Sequence, residues 1–330
     1  MRLGPNSSNN KPRLDVVPDW RDVLQGHKIE GFGAMDIWGQ IISYAYQYFD
    51  NAAFLALSAI GLILIYGMMG VINMAHGELM MIGAYTATFA YYAGVPVPIA
   101  IIFAGIVTGV VGVIIERLIV RHFYNQLLSS LVVTWGLSLI FTQGMLMIFG
   151  PSAKNMPTPF GSFSVGEFSF GIYRMVLFAV ALLLIVGLWA LFRFSSFGTK
   201  AQAAIENPTM AQALGIDTRR IYTLTFGLGS AMGGIAGAMF AMTAAVSPFF
   251  GQAYTPLAFI TVVIAGGANV IAGLVYAVAY LAGIQTLTVN VFNQYIGYIS
   301  IMAAAFVALL VMPTGISGFV ERRRVRAMQR

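Results

Sequence analysis

The sequence predicts an all-α, polytopic membrane protein: a helical bundle of about 8–10 membrane segments, some of them broken or re-entrant, built as two pseudo-repeats. Three observations predict it. Hydrophobic residues fill 58% of the 330 positions and charged residues 9%, with mean hydropathy +0.80, whereas soluble domains carry about a quarter charged residues. Apolar runs near the roughly twenty residues that cross a bilayer recur along the chain. The basic residues stand in short runs flanking those spans, so the net charge of +6 marks a cytoplasmic side rather than a nucleic-acid surface.

Several chemistries are excluded at once. Cysteine is absent, which removes disulfides, thiolate catalysis and cysteine metal sites. His27, His76 and His122 are far apart and form no HExxH pair. No GxxxxGK[ST] occurs, and Lys200 follows FGT rather than a phosphate-cradling glycine loop. ATP hydrolysis is therefore not expected of this chain, nor a metal centre.

Residues 1–35 are polar and rich in turn formers, without the apolar core and small-residue cleavage site of a secretory signal; they read as a soluble, partly disordered tail with a short helix near Trp20 to Leu24. Ile37 to Ile72 is too long for one straight span, and Gln40, Gln47, Asp50 and Asn51 interrupt its start. The expectation is an interfacial or tilted helix leading into the apolar run from Phe54 to Met69. Leu79 to Ala93 suits a half-helix. Pro98 to Val120 and Leu127 to Phe149 are full spans, and residues 150–173 form a polar loop rich in Pro, Gly and Ser. Arg174 to Phe192 returns through the membrane. Residues 193–220 are the longest polar stretch between spans, and Ile221 to Ala245 crosses again with five glycines suited to close helix packing. Pro256 to Leu287 is broken at GGANVIAG (266–273), and Tyr295 to Met312 is the last span before a basic tail, 317–330.

Charge orients this path. Arg117 and Arg121, then Arg193, Lys200, Arg219 and Arg220, then the arginines after Glu321 mark three cytoplasmic segments, and 150–173 lies outside. An even number of crossings must join Arg220 to Arg322, so 256–287 either crosses twice or re-enters on one side.

Between Gly70 and Tyr85 the apolar sequence is interrupted by Asn73, His76, Gly77 and Glu78, the last being the sole carboxylate between Asp50 and Glu116. Polar residues at membrane depth are costly and face a cavity or partner. Glycines permit a broken helix, tolerated where the backbone lines water or is covered by protein. Two readings stand: a break within the membrane, or a solvated loop at its face. Gly70, Asn73 and Gly77 recur as Gly266, Asn269 and Gly273 at one common offset. Both triplets fall where an apolar region is interrupted, as in transporters whose central site is built from discontinuous helices in two repeats. Both repeats end in a Glu-Arg pair (Glu116-Arg117, Glu321-Arg322), which suggests parallel repeats.

At this point INMAHGE followed by GAY, TWGLSLIFTQ, ENPTMAQALGIDTRRIYTLTFGLGSAMGGIAG, VSPFFGQAY and MPTG, in that order, resemble the inner-membrane permease subunit of ATP-binding-cassette importers for branched-chain amino acids and urea. The resemblance covers roughly 36–320, and GVINMAHGELMMIGAY, TWGLSL and VSPFFGQAY look closest to the urea branch. The second break departs from the family's usual GG-small-GN or GS and reads AGGANVIAG. The resemblance implies a transmembrane permease domain over 36–316, with 193–220 as its cytoplasmic coupling loop. It implies no cofactor, ATP being used by a partner. It also implies two ATP-binding subunits, a second permease (homologous or identical), an extracytoplasmic solute-binding protein and a multi-pass place in a bacterial-type inner membrane, with the C-terminus cytoplasmic.

The coupling role carries over to Glu206, Asn207, Gly215, Asp217 and Arg219. Locally, Asn207-Pro208 can start a helix, Met210, Ala213 and Leu214 share one face, and Gly215 suits the C-terminal cap. Such a helix docks in a partner's groove or is simply an amphipathic surface helix. For a small polar solute, candidate path residues are Asn73, His76 and Glu78 at the first break, Asn269 at the second, and Thr134, Ser138 and Gln143 facing inward on their span; Gly70, Gly77, Gly266, Gly267 and Gly273 make the helix breaks. The other reading of His76 and Glu78 has them bonding free backbone ends without touching cargo. An ion-coupled transporter or channel is the alternative class; it calls for a relay of intramembrane carboxylates, of which Glu78 alone is credible.

Overall fold

The computed structural model describes residues 34–124, 126–153, 155–165, 168–267, 269–312 and 315–319. The tail of 1–33 with its expected short helix lies outside the described residues, as do Lys154, Glu167, Pro313, Thr314 and the arginines from Arg322 onward. Helix α1 spans Ala34–Met69, α2 His76–Tyr92, α3 Val97–Leu118 and α4 Leu127–Phe149, with a 3-10 turn at Val120–Phe123 between the last two. A two-stranded antiparallel hairpin follows, β1 Ser162–Val165 with β2 Phe168–Gly171, its register pairing Ser162 with Gly171 and Ser164 with Ser169. Then come α5 Ile172–Phe194, α6 Ser196–Glu206, α7 Pro208–Ala213, α8 Thr218–Phe240, α9 Phe250–Ala265, α10 Val270–Val291 and α11 Gln294–Val311. Among the described residues, seven helices are long and apolar enough to cross a membrane; α2 and α9, with 17 and 16 residues, are shorter.

The chain passes between two faces. At one, the hairpin face, the Tyr92 hydroxyl donates to the Asn155 carbonyl, the Ala153 N–H donates to Val246, and Arg174 pairs with Asp50. The end of α10 arrives there too, where Asn290 donates to Gln47 at 2.9 Å. At the other lie α6 and α7, beside a hollow that Phe192, Gln202, Glu206 and Asn269 share. The C-terminal ends of α1 and α9 reach this second face: Val270 packs on Gly67, and Gly315 packs on Gly266. Residues 256–287 thus run to the second face in α9 and return to the hairpin face in α10.

Helix α8 is the axis, packed against α1, α2 and α3. Small residues let these backbones approach, which is how apolar helices associate where no hydrophobic force drives them together. A Cβ on Gly61 would overlap the Gly229 carbonyl, and one on Gly83 would overlap that of Gly234.

Two expectations are corrected. Gln40, Gln47, Asp50 and Asn51 do not interrupt α1, which is one helix of 36 residues, about 54 Å long and so longer than the hydrocarbon core. Gln47, Asp50 and Asn51 instead share one side of it and find partners on α5 and α10. The second break is not enclosed by the bundle as the first is. Gly267 and Asn269 are exposed at the α6–α7 face, while Asn73 is buried.

The repeat has a structural counterpart despite that difference in enclosure. Gly70 and Gly266 each end a helix in the left-handed region, at φ 60° and 74°. Three residues on, Asn73 and Asn269 each accept a backbone N–H at 3.1 Å, from Ala75 and Ala272. Helices α1 and α9 run in the same direction, and α2 and α10 both return toward the hairpin face, so the two units are parallel.

Candidate functional site

After Gly70 the chain does not leave the bundle. It climbs back along α1, so that His76, the first residue of α2, places Nε2 2.9 Å from the Ser58 carbonyl. Val71, Ile72, Asn73 and Ala75 are buried, and non-helical backbone at such depth needs partners inside the protein. Thr134 on α4 supplies one. Its oxygen accepts the Met74 N–H at 3.0 Å, and its hydroxyl lies within reach of the Ile72 and Ser130 carbonyls. Asn73 closes the Ala75 N–H. A carbonyl can only accept, so Nε2 of His76 carries the proton it donates to Ser58. The ring fills the space left by Gly61 and Gly233, on α1 and α8. Of the two readings, the break within the bundle is the one the structure takes, and Asn73 and His76 both bond backbone.

Glu78 follows in the first turn of α2, where the helix N-terminus favours negative charge. It is buried. Thr142 donates to its Oε1 at 3.4 Å and the Ser138 hydroxyl bonds the same carboxylate, while Oε2 has no partner among the described residues. Ser130, Thr134, Ser138 and Thr142 make a buried stripe at four-residue spacing along α4. Gln143 is a correction: it lies next to Thr142 in sequence, one helical step round, on the exposed side. Sequence reasoning chose it in place of Thr142, although the four-residue spacing from Thr134 and Ser138 favoured the threonine.

Gly77 meets α9 at its closest point; a Cβ there would overlap the Gly251 carbonyl and the Thr255 hydroxyl. Gly273 fits against the Ala265 carbonyl, whereas Gly267 faces open space. Asn269 caps α10 and stands beside Gln202 and Glu206, far from Glu78 in surroundings and exposure.

On the opposite face, α6 and α7 are separated by Asn207-Pro208. The Asn207 side chain accepts the Met210 N–H at 3.0 Å, and Pro208 takes the first helical position. Gly215, at φ 83°, closes α7: its N–H reaches the Gln212 carbonyl, and the Ile216 N–H reaches Ala211, the paired bonds of a glycine-terminated helix. Asp217 then caps α8 through the Arg220 N–H and pairs with the Arg220 guanidinium at 2.8 Å. Ala211 is buried, but Met210 and Leu214 are 59% and 74% exposed, leaving an apolar edge uncovered among the described residues. Glu206 and Arg219 are exposed beside it.

This loop is wired to α3. Glu116 is buried at the end of α3, where it accepts from the Tyr124 hydroxyl and pairs with Arg121 at 3.5 Å. Burial, and then the Glu116 carboxylate, push the Tyr124 phenol above its ordinary range. Tyr124 stands edge-on to Tyr222, whose hydroxyl reaches the Ala204 carbonyl of α6.

Sequence reasoning missed a second polar site, at the hairpin face. Gln47, Asp50, Asn51 and Phe54 line a hollow of about 300 Å³ with Arg174, Gln285, Gln294 and Tyr298. Their i, i+3, i+4, i+7 spacing on α1 was the available signal.

Comparison with known proteins completes the site. Residues 45–316 match the family model of the permease component of branched-chain amino acid transport systems. The chain is 32% identical over 291 residues to the high-affinity branched-chain amino acid transport system permease protein LivH of Escherichia coli, covering 82% of this chain and 93% of that protein. It is 30% identical over 287 residues to the corresponding BraD protein of Pseudomonas aeruginosa, with the same coverage of 82% and 93%. To the probable LivH permease of Methanocaldococcus jannaschii it is 26% identical over 290 residues, covering 80% and 88%. No solved structure matches significantly.

Proposed function

The chain belongs to the family of branched-chain amino acid transport-system permeases, and from that premise we propose that it forms the passage of an ATP-driven importer for a small polar solute. The family is one of transport subunits rather than enzymes, and ATPase and binding-protein partners go with it. In this reading two ATP-binding subunits press on the α6–α7 face, which is cytoplasmic, and a second permease, identical or homologous, completes the passage. The binding protein delivers solute at the hairpin face.

The observation that carries the reading is the apolar edge of Met210 and Leu214, solvent-exposed on a helix capped at both ends. A capped, rigid helix with an uncovered apolar edge suits insertion into a groove of the partner. The relatives named above are transporters of branched-chain amino acids, which favours a zwitterion with an apolar side chain. The local likeness of GVINMAHGELMMIGAY and VSPFFGQAY to the urea branch keeps urea or a short amide as the second candidate. An ion-gradient mechanism is less well supported. Of the buried carboxylates among the described residues, Asp50 and Glu116 are paired with arginine, and Glu78 alone does not make a relay.

Uptake into proteoliposomes containing the assembled importer tests this. L-Leucine or urea should accumulate with ATP, and should continue to do so after an uncoupler is added. Uptake that needs no ATPase subunit and collapses with the uncoupler would overturn the proposal.

A further inference from the structure

We propose that the hollow at the hairpin face is a receiving subsite for an α-amino acid, in which Asp50 takes the solute's ammonium group and Arg174 its carboxylate. The inference rests on the permease reading and assigns the place where cargo first meets this chain. Asp50 is 8% exposed and lines the hollow; its Oδ2 is held by Arg174, while Oδ1 has no hydrogen-bond partner among the described residues. A carboxylate oxygen left without a donor in a buried site costs free energy unless something else satisfies it, and an ammonium group can. Arg174 is half exposed and commits Nη1 to Asp50. A guanidinium carries five N–H donors in a fork that fits a carboxylate.

The ion pair joins α1 to α5, a link that apolar packing could also supply. Buried pairs are often no more stabilising than well-packed apolar residues, and charges within a membrane segment mark solute pathways by default. The neutral lining fits the same cargo. Gln47 and Asn51 are held in place by Asn290 and Thr286, and Gln285 and Gln294 present further amides to the hollow. Phe54, Leu55, Leu257 and Val289 supply an apolar wall for the side chain of a branched solute. Phe54 also stacks on Phe240 at 4.5 Å and Phe240 on Tyr254 at 4.7 Å, which ties this wall to the buried aromatic core. It opens at the face opposite α6 and α7, the side from which an importer is loaded.

The experiment is uptake of L-leucine and of urea, measured in parallel, by the full importer carrying Asp50→Asn with Arg174→Gln. Both charges are removed while two mutually compatible amides remain. Leucine uptake should fall by about tenfold or more, the worth of a hydrogen bond to a charged group. ATPase co-purification and basal ATP hydrolysis should be unchanged, and any urea uptake should fall less. Wild-type leucine uptake by this double variant, or an equal loss for both solutes, overturns the subsite. Arg174→Lys keeps the ion pair but not the two-pronged donor, and decides the matter if the double variant fails to assemble. A raised apparent KM for leucine with unchanged kcat supports the subsite, and unchanged kinetics overturn it. Should the wild-type importer move urea but not leucine, the subsite falls while the permease reading stands. Should it move neither with ATP, the permease reading falls and takes the subsite with it.

Discussion

Gly77 and Thr134 hold the re-entrant turn by opposite means, one by being absent and one by being present. A methyl group at Gly77 would run into the Gly251 carbonyl, and overpacking of this kind costs about 1–3 kcal/mol. Gly77→Ala should therefore lower the melting temperature of the detergent-solubilised protein, while Gly267→Ala, with open space around it, should not. Thr134→Val keeps the shape but strands the part-buried Met74 N–H, a loss of about 1–3 kcal/mol, whereas Gln143→Leu on the exposed side should be neutral in the same assay. Glu78→Gln keeps the Thr142 contact but removes the charge; if the carboxylate serves transport, uptake falls while the melting temperature holds, and unchanged uptake leaves it no essential role. The sequence made Asn73, His76 and Glu78 conspicuous because polar groups stand out against apolar neighbours. Their partners were not legible, since Ser58, Thr134 and Thr142 lie 18 to 64 residues away and only packing brings them together.

At the scale of elements, α7 was the most readable piece. Asn207, Pro208 and Gly215 are local signals, and each occupies the position its chemistry favours. Helix α1 was less readable, because polar residues within an apolar run look like an interruption until their partners on α5 and α10 are seen. The β1–β2 hairpin went unnoticed in the loop of 150–173, although Phe163, Phe168 and Phe170 follow a two-residue alternation broken only at the turn. Since Met210 and Leu214 are exposed, aspartates there leave the chain's own packing untouched. Met210→Asp with Leu214→Asp should abolish co-purification of the ATPase subunit while membrane insertion survives. Gly215→Pro should do likewise, since proline cannot adopt φ 83°. Normal co-purification of these variants would remove α7 from the coupling role.

For the whole molecule, the distribution of arginines and lysines was enough to require an even number of crossings after Arg220, and the glycine-asparagine triplets together with the Glu116-Arg117 and Glu321-Arg322 pairs were enough to suggest two parallel units. What the sequence could not convey was depth: the same triplet sits inside the bundle at 70–77 and at its face at 266–273, because α1 is folded back upon and α9 is not. The resulting arrangement sets a polar hollow at one face and an uncovered lever at the other, with α8 running between them. Since the native chain has no cysteine, Leu214→Cys and Gln294→Cys can each be labelled alone with a membrane-impermeant thiol reagent in sealed vesicles of known orientation. The account predicts that position 214 reacts only from the cytoplasmic side and is protected by the ATPase subunit, and that position 294 reacts only from the other side. Labelling of both positions from the same side would contradict it.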